Sequence, residues 1–496
     1  MSRLLLILNR KYGPLSRLSQ QEMFESRRLA LKATLAASAG LLLSGTDAMA
    51  LPARRAGRRV VVVGAGFAGL ACAHELSALG YDVTVVEARG RLGGRVLSFS
   101  DFVAGKNIEG GAELIGSNHP AWVNYAKKFN LDFLDVSEEE ELFSPIKVGG
   151  KLLDEETANA VWEEASEAMN SLNELAANID PDTPWTAKDA RALDSKSIAE
   201  FFKGVPAKDV TKLAISAQIA GDNGVADEKA SLLGMLAAIK GGGLEKYWTD
   251  TEVYRCKGGN QQLAARLADA IGNDRIVLKL PVTRIDTSKS VAVVTCADGR
   301  TIECDDVVLA VPPTVWNKIE FRPGLPAIAP QMGVNVKYLT SVKGRFWHEK
   351  KQSQWALSDD ELSWVWESTD AQGEDGGVGL TAFAGGPAAE KARAYDAGTR
   401  DKALGEKVEE LKPGFKANFI ASRFMDWPAD PWAMCGYSFP APGQVTTVGP
   451  ILRKGAGNLH FAGEHTCYAF VGYMEGGLSS GIGVAGRIAT RDGTRK

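Results

Sequence analysis

Residues 59–63 read RVVVV, a β-branched run suited to a strand buried on both faces. It passes without a break into Gly64-Ala65-Gly66-Phe67-Ala68-Gly69 and then into the helical pattern LACAHELSALG. A second strand, Tyr81 to Val86, ends on an acid, Glu87. Strand, GxGxxG turn, helix, strand and terminal carboxylate together define a nucleotide-binding βαβ unit. Gly64 permits the tight turn, Gly66 lets the backbone approach a pyrophosphate, and Gly69 lets helix and strand pack closely. The helix N-terminus, where Phe67 and Ala68 stand, presents N–H donors to the anion. Glu87 is expected to accept hydrogen bonds from the ribose hydroxyls. A plain glycine-rich turn is the bland alternative, and the flanking strand, helix and acid argue against it.

This unit does not separate NAD from FAD; the residues after it do. Ala88 leads into Arg89-Gly90-Arg91-Leu92-Gly93-Gly94-Arg95. An RxGGR segment in that position resembles the second nucleotide motif of glutathione-reductase-like flavoproteins, rather than a solvated basic loop. Its glycines, Gly94 among them, can wrap backbone around the pyrophosphate while Arg95 adds charge. Near the far end, Asn458 to Ala462 reads as a short strand followed by Gly463-Glu464. Gly472-Tyr473-Met474-Glu475-Gly476-Gly477 then opens a helix. Glu464 suits the ribityl or pyrophosphate region of FAD, and the helix N-terminus can stabilise negative charge on reduced flavin. The cofactor sheet is thus expected to be assembled from both chain ends.

With these three motifs in place, the chain resembles the flavin monoamine oxidase family, which includes L-amino acid and polyamine oxidases. The resemblance covers nearly all of residues 58–490. Gly110-Gly111 with Leu114-Ile115-Gly116, Arg255-Cys256-Lys257-Gly258-Gly259 and Val311-Pro312-Pro313 support it. So do Val334 to Lys337 before Phe346-Trp347, and Asp426-Trp427. It implies an α/β fold in which a glutathione-reductase-like, Rossmann-type FAD-binding domain is interleaved with an α+β substrate-binding domain. It also implies cofactor contacts at Ala88, Arg89, Val282, Trp427, Gly472, Tyr473 and Met474.

The resemblance assigns three catalytic positions. Lys337 matches a lysine that holds a water against flavin N5. Tyr437 and Tyr473 match two tyrosines that flank the substrate amine. Read without the resemblance, the alternation of Val334, Val336 and Tyr338 only puts Lys337 on the opposite strand face, where an ordinary solvent-facing lysine is the favoured reading. The family's mitochondrial members attach FAD through a cysteine immediately before the first cage tyrosine. Here Gly436 occupies that place and Cys435 lies one residue earlier. In an extended segment a one-residue shift turns the side chain to the opposite face, so FAD is expected to be non-covalent.

Size and composition bound the rest. A chain of 496 residues leads to an expectation of two domains. The formal net charge of −4 leaves no basic footprint for nucleic acid. Six scattered cysteines form no CxxC pair, and five scattered histidines show no zinc spacing, so no metal is expected. Cys296 and Cys304 lie on a hairpin. A turn centred on Asp298-Gly299 would set them opposite Thr301 and Val293, about three residues apart at roughly 3.3 Å each, too far for a disulfide.

Residues 26–32 read SRRLALK, an apolar run extends from Ala33 to Leu43, and Ala48-Met49-Ala50 follows. Together they read as a twin-arginine export signal over residues 1–50, with Met23 as an alternative start. The apolar run is too short for a permanent span. A soluble periplasmic or secreted protein is expected, with the twin-arginine machinery as a partner and a homodimer left open.

The expected FAD-binding domain gathers 55–132, 248–326 and 430–496; the substrate domain gathers 133–247, largely helical, and 327–429. The expected activity is an FAD-dependent oxidase that converts a small primary amine or L-amino acid to an imine and reduces O2 to H2O2. No arginine follows the double glycine in GAELIGSNH, which leans toward amines, although Arg255, Arg345 or Arg423 could hold a carboxylate. The alternatives are a flavin amine dehydrogenase with a periplasmic acceptor and a flavin-containing binding or chaperone protein.

Overall fold

The computed structural model describes residues 57–137 and 142–494. The export signal expected in residues 1–50 lies outside the described residues. The strand Arg59–Val63 sits at the centre of a five-stranded parallel sheet. Its order is Leu459–Phe461, Asp306–Leu309, Arg59–Val63, Asp82–Val86, Ile276–Val277. Val60 and Val62 face the helices Phe67–Ala78 and Met474–Arg491, while Val61 and Val63 face a small four-stranded sheet. Covering both faces explains why the strand reads as a continuous apolar run. Each fully buried valine contributes about 1.5–3 kcal/mol.

The helices Phe67–Ala78 and Met474–Arg491 pack with their backbones in near contact. A Cβ on Gly481 would lie 2.2 Å from the Ala68 carbonyl oxygen. Glycine at 481 is what lets the C-terminal helix settle against the nucleotide-binding helix. Asp306, fully buried at the foot of its strand, binds Arg491 through both carboxylate oxygens at 2.7 and 2.8 Å and His460 at 2.9 Å.

A second sheet of seven strands runs Phe419–Asp426, Asn335–Val342, Val378–Gly385, Trp364–Glu367, Ala356–Ser358, Ile146–Val148, Lys151–Leu152. Its helical cover includes Glu155–Ala176, which begins at an Asp154 cap accepting from the Thr157 amide at 2.8 Å. That helix turns Val161, Trp162, Ala165, Met169 and Leu172 into the core. All eight residues of Asn335–Val342 are buried. Lys337 therefore does not meet solvent on the far face of its strand, because this central strand is covered on both sides.

One register differs from expectation. In the hairpin of Ala292–Cys296 and Thr301–Cys304, Thr295 faces Thr301 and Ala292 faces Cys304. The Cys296 amide bonds the Arg300 carbonyl, with Gly299 at φ 88°, so the loop has three residues rather than two. The two cysteines are nonetheless unbridged, like Cys72, Cys256, Cys435 and Cys467. Among the described residues no helix is long and apolar enough to cross a membrane, and no cluster of three or more His, Cys, Asp or Glu could hold a metal ion.

Candidate active site

The first turn, Gly64-Ala65-Gly66, leaves its strand with Gly64 at φ 107°, and a Cβ there would strike the Ala310 carbonyl oxygen at 2.8 Å. Gly94 comes back against it, since a Cβ on Gly94 would lie 3.2 Å from the Gly66 Cα. The two glycine turns form a cradle at one end of a cavity of about 340 Å³. Phe67, Ala68, Glu87, Ala88, Arg89 and Arg95 line the same cavity, as do Val282, Trp427, Glu464, Gly472, Tyr473 and Met474. Gly69 does not line it. A Cβ there would meet the Gly64 carbonyl oxygen at 2.0 Å, so Gly69 serves the close packing of turn and helix.

The charged residues of this end are already held by protein. Glu87 accepts the Ala65 amide at 2.7 Å on one oxygen and the Arg89 amide at 2.7 Å on the other. Its remaining lone pairs could accept from a ribose. Arg89 grips Asp430 with two bonds of 2.6 Å. Arg95 binds Glu464 at 2.9 Å and the Gly436 carbonyl at 2.7 Å. Glu464 also accepts from the Ser438 hydroxyl at 2.6 Å and the Gly472 amide at 3.0 Å. Burial raises the Glu464 carboxyl, but Arg95 and Ser438 outweigh it and hold it below the usual range. Trp427 donates from Nε1 to the Gly110 carbonyl at 2.9 Å.

Tyr437 and Tyr473 line the same cavity. The Tyr437 hydroxyl donates to the Asp222 carbonyl at 2.6 Å, and the Tyr473 hydroxyl to Glu252 at 3.2 Å. Burial, reinforced by the nearby Asp222 and Glu252 charges, pushes both phenols well above their ordinary value, so both stay protonated. Tyr473 caps the helix Met474–Arg491, and His119 packs edge-on against its ring at 5.4 Å. Lys337 donates from Nζ to Glu113 at 2.6 Å and to the Glu109 carbonyl at 3.2 Å. Glu113 also accepts from Arg255 and Trp366 at 2.9 Å each. Burial raises the Glu113 carboxyl, but Lys337 and Arg255 hold it below the usual range. Trp355 and Trp366, stacked at 5.8 Å, wall the cavity with Phe383.

Every catalytic and cofactor position named from sequence lines this one cavity except Gly69. The three arginines weighed as carboxylate binders do not line it. Arg255 is locked to Glu113, Asp370 and the Glu367 carbonyl. Arg345 pairs with Glu367 and Glu374, and Arg423 stacks on Phe99 and Phe102. Sequence reasoning missed Glu113, Asp222, Glu252, Asn335, Trp364 and Trp366. The WVWE alternation at 364–367 offered a signal for the tryptophans; Asp222 and Glu252 stand in no local pattern.

Glycine turns at a helix N-terminus, Glu87 beside them and two tyrosines on the same cavity lining are residues that would fit FAD. The model of the flavin containing amine oxidoreductases matches residues 67–489, and the chain belongs to that family. It is 28% identical over 455 residues to amine oxidase [flavin-containing] B of Canis lupus familiaris, covering 86% of this chain and 85% of the relative. Against amine oxidase [flavin-containing] A of Sus scrofa it is 27% identical over 471 residues, covering 87% and 86%. Cyclohexylamine oxidase from Brevibacterium oxydans IH-35A superposes with a TM-score of 0.79 at 26% identity, over 88% of this chain and 99% of that one. Putrescine oxidase bound to putrescine also superposes at 0.79, with 24% identity and the same coverage, a likeness of fold.

Proposed function

We propose that this chain oxidises small primary amines, rather than L-amino acids, to imines, with FAD held non-covalently and O2 as electron acceptor. One observation carries the choice of amine: Arg255, Arg345 and Arg423, the candidate carboxylate-binding arginines, do not line the cavity and are engaged elsewhere. Names of relatives, such as amine oxidase B and cyclohexylamine oxidase, agree with this reading.

The chemistry FAD would supply is acceptance of a hydride equivalent from the carbon that bears the nitrogen, so that C–N becomes C=N as an N–H proton is lost, while the chain's residues orient the substrate and exclude water. Tyr437 and Tyr473 flank the amine nitrogen, and hydrogen bonds to the Asp222 carbonyl and Glu252 fix the rings before substrate arrives. Trp355, Trp366 and Phe383 keep the reacting carbon dry. Lys337 holds an ammonium at the cofactor edge, anchored by Glu113. The released imine hydrolyses in water to an aldehyde and ammonia. The twin-arginine reading adds that the protein is exported.

A peroxide-coupled screen of primary amines against L-amino acids tests the proposal. Peroxide formation with amines is the expected result. Turnover of L-amino acids alone would overturn the substrate reading. Flavin bleaching by amines without peroxide formation in air would instead favour a dehydrogenase.

A further inference from the structure

Trp432 lines the cavity, partly exposed, and its backbone is fixed by residues that also line it. Its amide donates to Asp430 at 2.8 Å, and Asp430 is gripped by Arg89 through two bonds of 2.6 Å. The Arg89 amide in turn donates to Glu87 at 2.7 Å. Lys318, which closes the short helix Pro313–Lys318, holds the same segment from another part of the chain. Its ammonium donates to the Pro431 carbonyl at 2.6 Å and lies 5.1 Å from the centre of the Trp432 ring. The Thr314 hydroxyl donates to the Ala433 carbonyl as well.

Glu87 is also joined to a second part of the lining. Its carbonyl accepts the Leu280 amide at 2.9 Å, and Leu280, Pro281 and Val282 line the cavity. An aliphatic segment and an indole are thus both tied, by short hydrogen-bonded routes, to the one acid suited to a ribose. The base that such a ribose carries is a flat ring, and contact with either surface removes apolar area from water. The indole offers more, because an aromatic side chain can stack on the π face that every base has. Lys318 occupies one side of the Trp432 ring, and among the described residues no second ring packs on it. A ring immobilised in this way needs little further ordering to receive a planar ligand.

We propose that Trp432 is a cofactor-binding residue whose indole packs on the adenine of FAD, with the Arg89–Asp430 pair holding it in place. This rests on FAD as the cofactor and adds a contact that the glycine turns do not supply. The turns and Glu87 suit a pyrophosphate and a ribose, whereas the indole recognises the base. Loss of Trp432 therefore weakens the grip on the adenylate half of the cofactor and leaves that on the flavin half.

The test uses the FAD-loaded full-length protein and measures the FAD retained after gel filtration at a series of dilutions. Trp432→Leu should raise the FAD dissociation constant about tenfold or more, and Trp432→Phe, which keeps a ring, should stay within about threefold of wild type. ADP and FMN, added as competitors, locate the contact. In Trp432→Leu the competition constant of ADP should rise with that of FAD, while that of FMN stays unchanged. Undiminished FAD retention in Trp432→Leu would overturn the proposal. A weakened FMN constant with ADP unaffected would move Trp432 to the flavin half and overturn it too. A wild-type chain that retains no FAD would overturn both the proposal and the cofactor reading. Should Trp432→Leu lose its fold, the wild-type protein decides the matter with etheno-ADP, a fluorescent adenine analogue. Strong quenching of its emission on binding supports stacking on the indole, and undiminished emission from the bound nucleotide refutes it.

Discussion

Lys337 Nζ lies 2.6 Å from Glu113 Oε2, and both side chains are almost wholly buried. The other oxygen of Glu113 holds Arg255 and Trp366, so one buried carboxylate anchors two cations.

Replacing Lys337 by Met keeps most of the side-chain length and removes the charge. FAD content should survive and anaerobic reduction by substrate should change modestly. Reoxidation should slow by a factor of ten or more, about 1.4 kcal/mol of barrier. Stopped-flow absorbance separates the two half-reactions. Reoxidation at the wild-type rate would make Lys337 a purely structural cation.

Glu113→Gln should act differently, because it leaves Lys337 and Arg255 buried without their shared anion. Breaking a buried pair from one side costs about 3–5 kcal/mol. Thermal denaturation should show a clear fall in Tm, and a Tm within a degree of wild type would contradict the anchoring role.

Glu87→Ala should weaken FAD binding more than it changes chemistry. The carboxylate lines the cavity and also ties Ala65 to Arg89 through their amides. Charge-assisted bonds of this kind contribute about 1.5–3 kcal/mol each. Titration of apo-protein with FAD measures the change, and unchanged affinity would remove the ribose assignment.

FAD should be released by acid precipitation, leaving a yellow supernatant and a colourless pellet. Position 436, where a covalent link would form, has no room: a Cβ there would fall 1.9 Å from the Asn335 side-chain oxygen. Gly436→Cys should therefore destabilise the protein, and Asn335→Ala should relieve much of that loss. A yellow pellet from the wild-type chain would refute non-covalent binding.

Asp306 makes stability depend on pH. Burial alone would raise its carboxyl, but Arg491 and His460 outweigh this and hold it far below the usual range. A depressed folded value stabilises fully above the unfolded carboxyl value of roughly 4, and the stabilisation is lost as pH falls below it. Asp306→Asn should lower stability at pH 7 by roughly 2–3 kcal/mol and flatten the acid limb of a denaturation series between about pH 5 and 2. A variant as acid-sensitive as wild type would move the effect to other carboxylates.

Much of this was legible in the chain because nucleotide binding is local. Gly64, Gly66 and Glu87 fall within one βαβ unit whose spacing carries its own geometry, and Tyr473 sits on the helix that opens at its own motif. Lys337 was harder, since strand alternation gave its face but not what covered that face. Asp222 and Glu252 were invisible because a helix end and a strand start meet only through tertiary packing. The hairpin slipped by one residue because Gly299 made a three-residue loop that spacing alone does not distinguish.

The parallel sheet joins residues 59–63 to 306–309, and those to 459–461. A ribosome releasing this chain thus delivers the glycine cradle early and its last covering strand and helix near the end. Nascent fragments ending before residue 459 hold Gly64 and Glu87 but lack the wall supplied by Glu464, Tyr473 and Gly477. A cofactor bound to such a fragment would lack those contacts, so full retention of FAD is expected only of the completed chain.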